Sequence, residues 1–313
     1  MKIKKVLVSA LLVLTAGLAA ACSSGSKSSN SSSKSFTPKE LNVQFVPSAQ
    51  ANKIEAKAKP LEGLLKKQLH MPVHVTVSTD YNGLVEGMAS KKVDVGFLPP
   101  DAYVLAHKRK VADVLLQAER YGYDEPSGKV NNKLMHEYRA MVIVKKGSGI
   151  KSWKDLKGKS IGVMDPTSSS GYVFPIVELY QKGLNVLKDC KVTQIKGADQ
   201  AVLSVYNGDV DAAFVFADAR PIAAKDEPKV MKDVVPIYFT QWIPNDTISV
   251  RSDMSPAFRK KVAKAFKNIA KSKEGNKIIE SVYNHYGYTD TTDSDFNTIR
   301  KYQKVLDKVS DKK

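Results

Sequence analysis

From Leu41 onward, short apolar runs rich in β-branched residues alternate with longer segments of helical period, and this alternation limits the possible folds most sharply. "LNVQFVPS", "VHVTVST", "VDVGFLP" and "ADVLLQAE" read as strands. "IEAKAKPLEGLLKKQL", despite Pro60, and "YNGLVEGMASKK" read as helices between them. The second half repeats the scheme, with "KSIGVMD", "KVTQI" and "VDAAFVF" as strands and "YVFPIVELYQKG" and "QAVLSVYNG" as helices. Such alternation predicts an α/β fold with mostly parallel sheets. There is also an internal echo. Residues 84–102 align with 201–219 without a gap, matching Val93 with Val210, Asp94 with Asp211, Phe97 with Phe214, Asp101 with Asp218 and Ala102 with Ala219. Whether this is a true repeat or two βα units converging on one pattern, it predicts two similar lobes. A chain of 313 residues also exceeds what one compact core usually organises. Open α/β sheets bind ligands beyond the carboxyl ends of their strands, so a cleft between lobes is the expected site.

Two segments read as crossings between lobes, "YRAMVIVKKGSGI" and "FTQWIPNDTISVR". They divide the chain into a first lobe of 40–143 plus 247–313 and a second of 144–246. After Arg251 the sequence is helical. "SPAFRKKVAKAFKNIAKS" opens on Ser255 as cap with Pro256 at the first helical position, and "TDSDFNTIRKYQKVLDKV" closes the chain. Both are expected to pack on the first lobe.

The N-terminus carries a different signal. "MKIKK" is basic, and the 16 residues of "VLVSALLVLTAGLAAA" are apolar with small residues at the end. That is shorter than the ~20 apolar residues a spanning helix needs, and it has the form of a secretory signal, residues 1–21. Small residues before Cys22 and a Ser-rich tail after it resemble a bacterial lipoprotein, with Cys22 carrying lipid; simple secretion by cleavage near Ala21 is the alternative. Residues 22–39 read as a disordered Ser/Lys linker. Cys190 is then a lone thiol with no disulfide framework. The net charge of +17 is spread along the chain, as suits attraction to an anionic membrane or wall polymer or simply a solvated surface. It lacks the clustered basic stripe with aromatics of a nucleic-acid binder.

No enzyme constellation emerges. His70 and His74 are four apart, but Pro72 between them and the strand "VHVTV" argue against a helical metal pair. HExxH, GxSxG, Walker and CxxC patterns are missing, so neither catalysis nor a metal or other cofactor is expected. The stretch "VMDPTSSSGYVFP", by contrast, sets four hydroxyls between a strand ending at Met164 and a helix containing Pro175. Free backbone N–H groups and the positive end of a helix dipole converge there, a geometry that binds anions. Gly171 would permit close backbone approach. A plain helix cap with redundant serines is the other reading.

"KSWKDLKGKSIGVMDPTSSSGYVFP", together with "DYNGLVEGMASKKVDVGFLPPDAY", "AVLSVYNGDVDAAFVFADAR" and "IPNDTISVR", resembles the phosphonate-binding proteins of ABC importers over residues 40–305. The resemblance implies a type II periplasmic-binding-protein-like fold, two α/β lobes joined by two hinge strands and closing over a small oxyanion. It implies that Ser168, Ser169 and Ser170, with Gly171, grip the oxyanion, and that Tyr81 and Tyr138 line the site. Asp218 and Asp246 would face the ammonium of an aminoalkyl-phosphonate. The implied protein is a monomeric, lipid-anchored binding component on the extracytoplasmic face of the cell membrane, with an ABC permease and its ATPase as partners. In one respect the chain departs from the family. Where members often add a histidine to the anion site, this chain has Ala198, with Asp199 beside it. Phosphite, phosphate or a sulfonate therefore stay open as ligands, as does a surface lipoprotein serving adhesion or sensing.

Overall fold

The computed structural model describes residues 35–311 apart from 126 and 128; the leader, Cys22 and most of the linker lie outside the described residues. In chain order the first part contains β1 (Leu41–Phe45), α1 (Ala51–Ala58), α2 (Leu61–Leu69), β2 (Val73–Val77), α3 (Tyr81–Ala89), β3 (Val95–Leu98), α4 (Pro100–Lys108) and the hairpin β4 (Ala112–Asp124) and β5 (Lys129–Met135). Then follow β6 (Glu137–Lys145), β7 (Ser160–Val163), α5 (Phe174–Gln181), α6 (Val186–Asp189), β8 (Lys191–Gln194), α7 (Ala198–Asn207), β9 (Ala212–Phe216), α8 (Arg220–Ala223), α9 (Val230–Asp233) and β10 (Val234–Pro244). The chain returns through β11 (Thr247–Arg251), α10 (Pro256–Lys271), α11 (Lys273–Tyr283), β12 (Gly287–Thr289) and α12 (Asn297–Ser310). No helix among the described residues is long and apolar enough to cross a membrane.

Two sheets result. The first runs β12-β4-β11-β3-β1-β2 with β5 paired to β4, and the second runs β10-β6-β9-β7-β8. Each has a central strand, β1 or β7, between two parallel neighbours, and next to them an antiparallel strand, β11 or β6. The predicted echo maps onto equivalent places, α3–β3 in one sheet and α7–β9 in the other. Its matched aspartates do the same work. Asp94 Oδ2 accepts the Asn42 N–H at the start of β1 at 2.9 Å, and Asp211 Oδ2 accepts the Ser160 N–H at the start of β7 at 2.8 Å. In the first half, Phe97 on β3 stacks on Phe45 at 4.0 Å and meets Phe266 of α10 edge-on, so the carboxyl end of the strand rests on a packed aromatic floor. Each such ring fully buried is worth about 2–3 kcal/mol.

Several expectations are revised. Pro60 splits the predicted first helix into α1 and α2, because its ring leaves no N–H to continue the ladder. The linker's last residues are ordered, where 22–39 were expected to be disordered. Phe36 lies under the Arg251 guanidinium at 3.9 Å, its N–H donates to Asp253 O and its carbonyl accepts from Ser255 N. That anchor rests on a buried ion pair, Arg251 to Asp94 at 3.1 Å. β6 pairs within the second sheet from its first residue, Glu137, where the sequence reading changes lobe only after 143. β5 and β12, unremarked in the sequence, extend the first sheet. Ser255 caps α10 as expected, its Oγ accepting from Phe258 N at 3.3 Å.

The final helix does not pack on the first lobe alone. α12 lies against both α4 and α5. Tyr302 stacks on Phe174 at 3.9 Å and donates to Glu178 Oε1 at 2.9 Å, while Gln303 Nε2 donates to Asp101 Oδ1 at 3.1 Å. It thereby straps the two halves together. Asp101, in the first turn of α4, is fully buried at this junction, and its Oδ2 has no hydrogen-bond partner. Burial pushes its carboxyl up to about 7, against the hydrogen bonds from Ser169 and Gln303. The folded chain thus keeps a proton that the unfolded chain releases near pH 4. Stability is full below about pH 4, falls as pH rises toward 7, and levels above it, by up to about 4 kcal/mol. Asp101→Asn should flatten this decline in melting temperature between pH 4.5 and 8, measured by calorimetry; a slope equal to the native one would contradict the burial account.

Candidate functional site

The serine turn is built by its own hydrogen bonds. After β7, Asp165 Oδ1 accepts from the Thr167 N–H at 2.9 Å, and Asp165 O accepts from the Ser168 N–H at 2.8 Å. Ser168 then caps a wide π-helical turn, Ser169–Val173, that leads into α5; its Oγ accepts from the Gly171 N–H at 3.2 Å. The helical run therefore begins ahead of Pro175. Its first N–H groups have no intrahelical acceptor and form the positive end of the run.

The four predicted grip residues separate here. Ser168 and Ser170 line a cavity of about 50 Å³ between the two sheets. Ser169 does not: it is 0% exposed, and its Oγ accepts from the Asp101 N–H of the opposite half at 3.2 Å. Gly171 does not either. It packs on Met164, where a Cβ would come within 2.5 Å of that side chain, so glycine is needed for packing.

Tyr81 and Tyr138 complete the polar wall. Asp80 caps α3, Oδ1 accepting from Gly83 N at 2.6 Å, and so sets Tyr81 at the first helical position. The Tyr81 N–H crosses the cleft to Asp165 Oδ2 at 3.3 Å. The Tyr81 hydroxyl faces Ser168, and the Tyr138 hydroxyl, from β6, faces Ser170. Burial raises both phenols well above their usual range, so both stay O–H donors. Val46, Phe97, Phe216, Ile222 and Val282 supply an apolar remainder.

The two predicted carboxylates also part company. Asp246 lines the cavity, whereas Asp218 stands behind it. Asp218 Oδ2 accepts from Arg120 Nη2 at 2.7 Å and from Asn284 Nδ2 at 3.0 Å. Arg120, at the far end of β4, itself lines the cavity, with its guanidinium over the rings of Tyr138 at 5.6 Å and Phe216 at 5.4 Å. Burial works against its charge, but Asp218 and Asp246 outweigh it and raise its pKa. Behind Asp246 sits His285, 3.4 Å away through Nε2 and almost fully buried. Burial pulls its pKa below the ordinary range despite that carboxylate, so the ring is neutral and its Nε2–H donates to Asp246. Neither Arg120 nor His285 stood out in the sequence. The only available hint was an arginine flanked by aromatics in "AERYGY", at the end of a strand whose length was underestimated.

Ala198 opens α7, its N–H donating to Ser48 O across the cleft at 2.9 Å. Asp199 is not the helix cap, since Gly197 holds that position at φ +93°; it lies in the first turn, buried, and faces a neighbouring cavity instead of Ser168 and Ser170. Lys53 reaches Asp226 at 2.6 Å, a further contact between the two halves. Among the described residues no three His, Cys, Asp or Glu side chains cluster as metal ligands.

Comparison with known proteins agrees with this architecture. Residues 43–296 match the family model described as "ABC transporter, phosphonate, periplasmic substrate-binding protein". The chain is 29% identical over 209 residues to the phosphate-import protein PhnD of Mycolicibacterium smegmatis, covering 64% of this chain and 61% of that protein, less than two thirds of its length. It is 26% identical to the phosphonates-binding periplasmic protein of Escherichia coli, covering 77% of this chain and 70% of that one. Among solved structures, PhnD1 of Prochlorococcus marinus in complex with methylphosphonate superposes with a TM-score of 0.74 at 19% identity, over 87% of this chain and all of that one. These structures share the two-lobed fold. The chain belongs to the periplasmic substrate-binding proteins of phosphonate ABC transporters.

Proposed function

We propose that the chain is the extracytoplasmic binding component of an ABC importer and captures a small phosphonate in the cavity between its lobes, 40–136 with 247–311 and 137–246. The observation that carries this is the cavity of about 50 Å³ in which Ser168, Ser170, Tyr81, Tyr138 and Arg120 converge as donors. That volume holds about four water-sized groups, the shell around one tetrahedral phosphorus. Three oxygens meet the hydroxyls and the guanidinium, and the carbon substituent meets Phe97, Phe216 and Val282. Inorganic phosphate would set a fourth oxygen against that apolar wall.

Asp246 adds a further condition. A carboxylate only accepts hydrogen bonds, so the ligand must bring a hydrogen to it. The P–OH of a monoprotonated phosphonate does so, and an ammonium on a short alkyl chain does so with a charge-assisted bond. Asp218 contributes through Arg120, by holding the guanidinium in place. Binding and closure are the whole of the work. Ligand enters with the lobes apart, closure excludes water, and the joined surface is presented to the permease. The Ser/Lys linker, lipid-anchored at Cys22, meets the domain at Phe36 beside the start of α10, so the tether joins the first lobe and leaves the second free to move.

Calorimetric titration tests this with a series of ligands. Ser170→Ala and Ser168→Ala should each weaken methylphosphonate by about 10- to 100-fold, the worth of one hydrogen bond to a charged group. Native affinity in both variants would sink the assignment. Asp246→Asn should weaken 2-aminoethylphosphonate by more than about 10-fold and methylphosphonate by much less. Equal losses for the two ligands would remove Asp246 from amine recognition.

A further inference from the structure

The small cavity has a neighbour. Ala49, Ile222 and Val282 line both it and a second cavity of about 230 Å³, so only these three small or aliphatic residues are common to the boundary between them. A longer carbon chain on a phosphonate held by Ser168, Ser170 and Arg120 would run past these residues toward the second cavity.

That cavity is ionic. Lys53 and Lys57 of α1 stand on one side, and Asp199, Lys225 and Asp226 on the other. Lys53 and Asp226 satisfy each other across the cleft at 2.6 Å. Asp199 lies buried in the first turn of α7, where the positive end of the helix faces its charge, and its Oδ1 has no hydrogen-bond partner. Lys57 and Lys225 remain. Among the described residues neither reaches a carboxylate within ion-pair distance, and closure of the lobes brings them together. Burial and then the charges of Lys225 and Lys53 lower the pKa of Lys57, more than the carboxylates of Asp199 and Asp226 raise it. An anion bridging the two would turn a repulsion between the lobes into an attraction that favours closure.

Resting on the phosphonate reading above, we propose that this second cavity is a subsite for a carboxylate at the far end of a phosphonate ligand, held between Lys57 and Lys225. The substrate class is thereby widened to phosphonocarboxylates, with the phosphono head in the inner cavity and the acid outside it.

Titration calorimetry with methylphosphonate, propylphosphonate and 3-phosphonopropionate tests it, the last two having equal chain length and differing in the acid. In the native chain 3-phosphonopropionate should bind at least about 10-fold tighter than propylphosphonate. In Lys57→Met/Lys225→Met that ratio should fall below about 3-fold, while methylphosphonate stays within about 2-fold and shows the variant to be folded. Equal binding of the two longer ligands by the native chain, or a ratio that survives the double substitution, would overturn the subsite. A parallel loss for all three ligands would also overturn it, since that marks a long-range field alone. No heat from methylphosphonate in the native chain would instead strike at the phosphonate reading, and the subsite would fall with it.

Discussion

The ion pair between Arg120 and Asp218 joins the two halves of the molecule beside the cavity, and much of the site depends on it. Arg120 comes from the long strand β4 of the first sheet, and Asp218 from the turn after β9 of the second. Both side chains are withdrawn from water, at 8% and 14% exposure. A pair so placed is costly to desolvate and is stable only when geometry is good and the remaining donors are met. Here Asn284 donates a second bond to Asp218, and the guanidinium lies over the rings of Tyr138 and Phe216. The pair joins the two halves, so separating the lobes would break that arrangement.

The rest of the site divides donors from acceptors around that cation. Tyr81 and Tyr138 are hydroxyls kept protonated by burial, and they face Ser168 and Ser170 across the cavity. Asp246 is the lone carboxylate among the lining residues, and a neutral His285 donates to it from behind. A neutral imidazole orients the carboxylate without cancelling its charge. With no histidine at Ala198, the positive contribution to this cavity comes from Arg120 and from the helical N-terminus at Ser168.

Much of the fold was legible because it is written locally. Alternating apolar runs mark strands, and the matched Asp94 and Asp211 recur because each central strand needs the same acceptor at its start. Of the expected binding residues, those on or beside such elements come together: Ser168, Ser170, Tyr81, Tyr138 and Asp246 all line the cavity. Several of the misreadings share a cause, a contact between distant segments. Ser169 looks identical to its neighbours in the chain, but the turn's winding points it at Asp101. Asp218 looks like a ligand carboxylate until Arg120, 98 residues away, is set beside it. Arg120 and His285 sit in stretches with no motif and gain their place only through the register of β4 with β11 and β12. α12 shows one apolar stripe in the sequence, and nothing in that stripe tells that two lobes share it.

The central claim is spatial, that one phosphorus centre sits between the serine turn and the two tyrosines. A crystal structure of the mature chain grown with methylphosphonate addresses it most directly. The account predicts phosphorus in the inner cavity, with oxygens within hydrogen-bond distance of Ser168, Ser170 and Tyr138 and the methyl group toward Phe97 and Phe216. Methylphosphonate bound only among Lys53, Lys57 and Lys225, with water alone in the inner cavity, would contradict it.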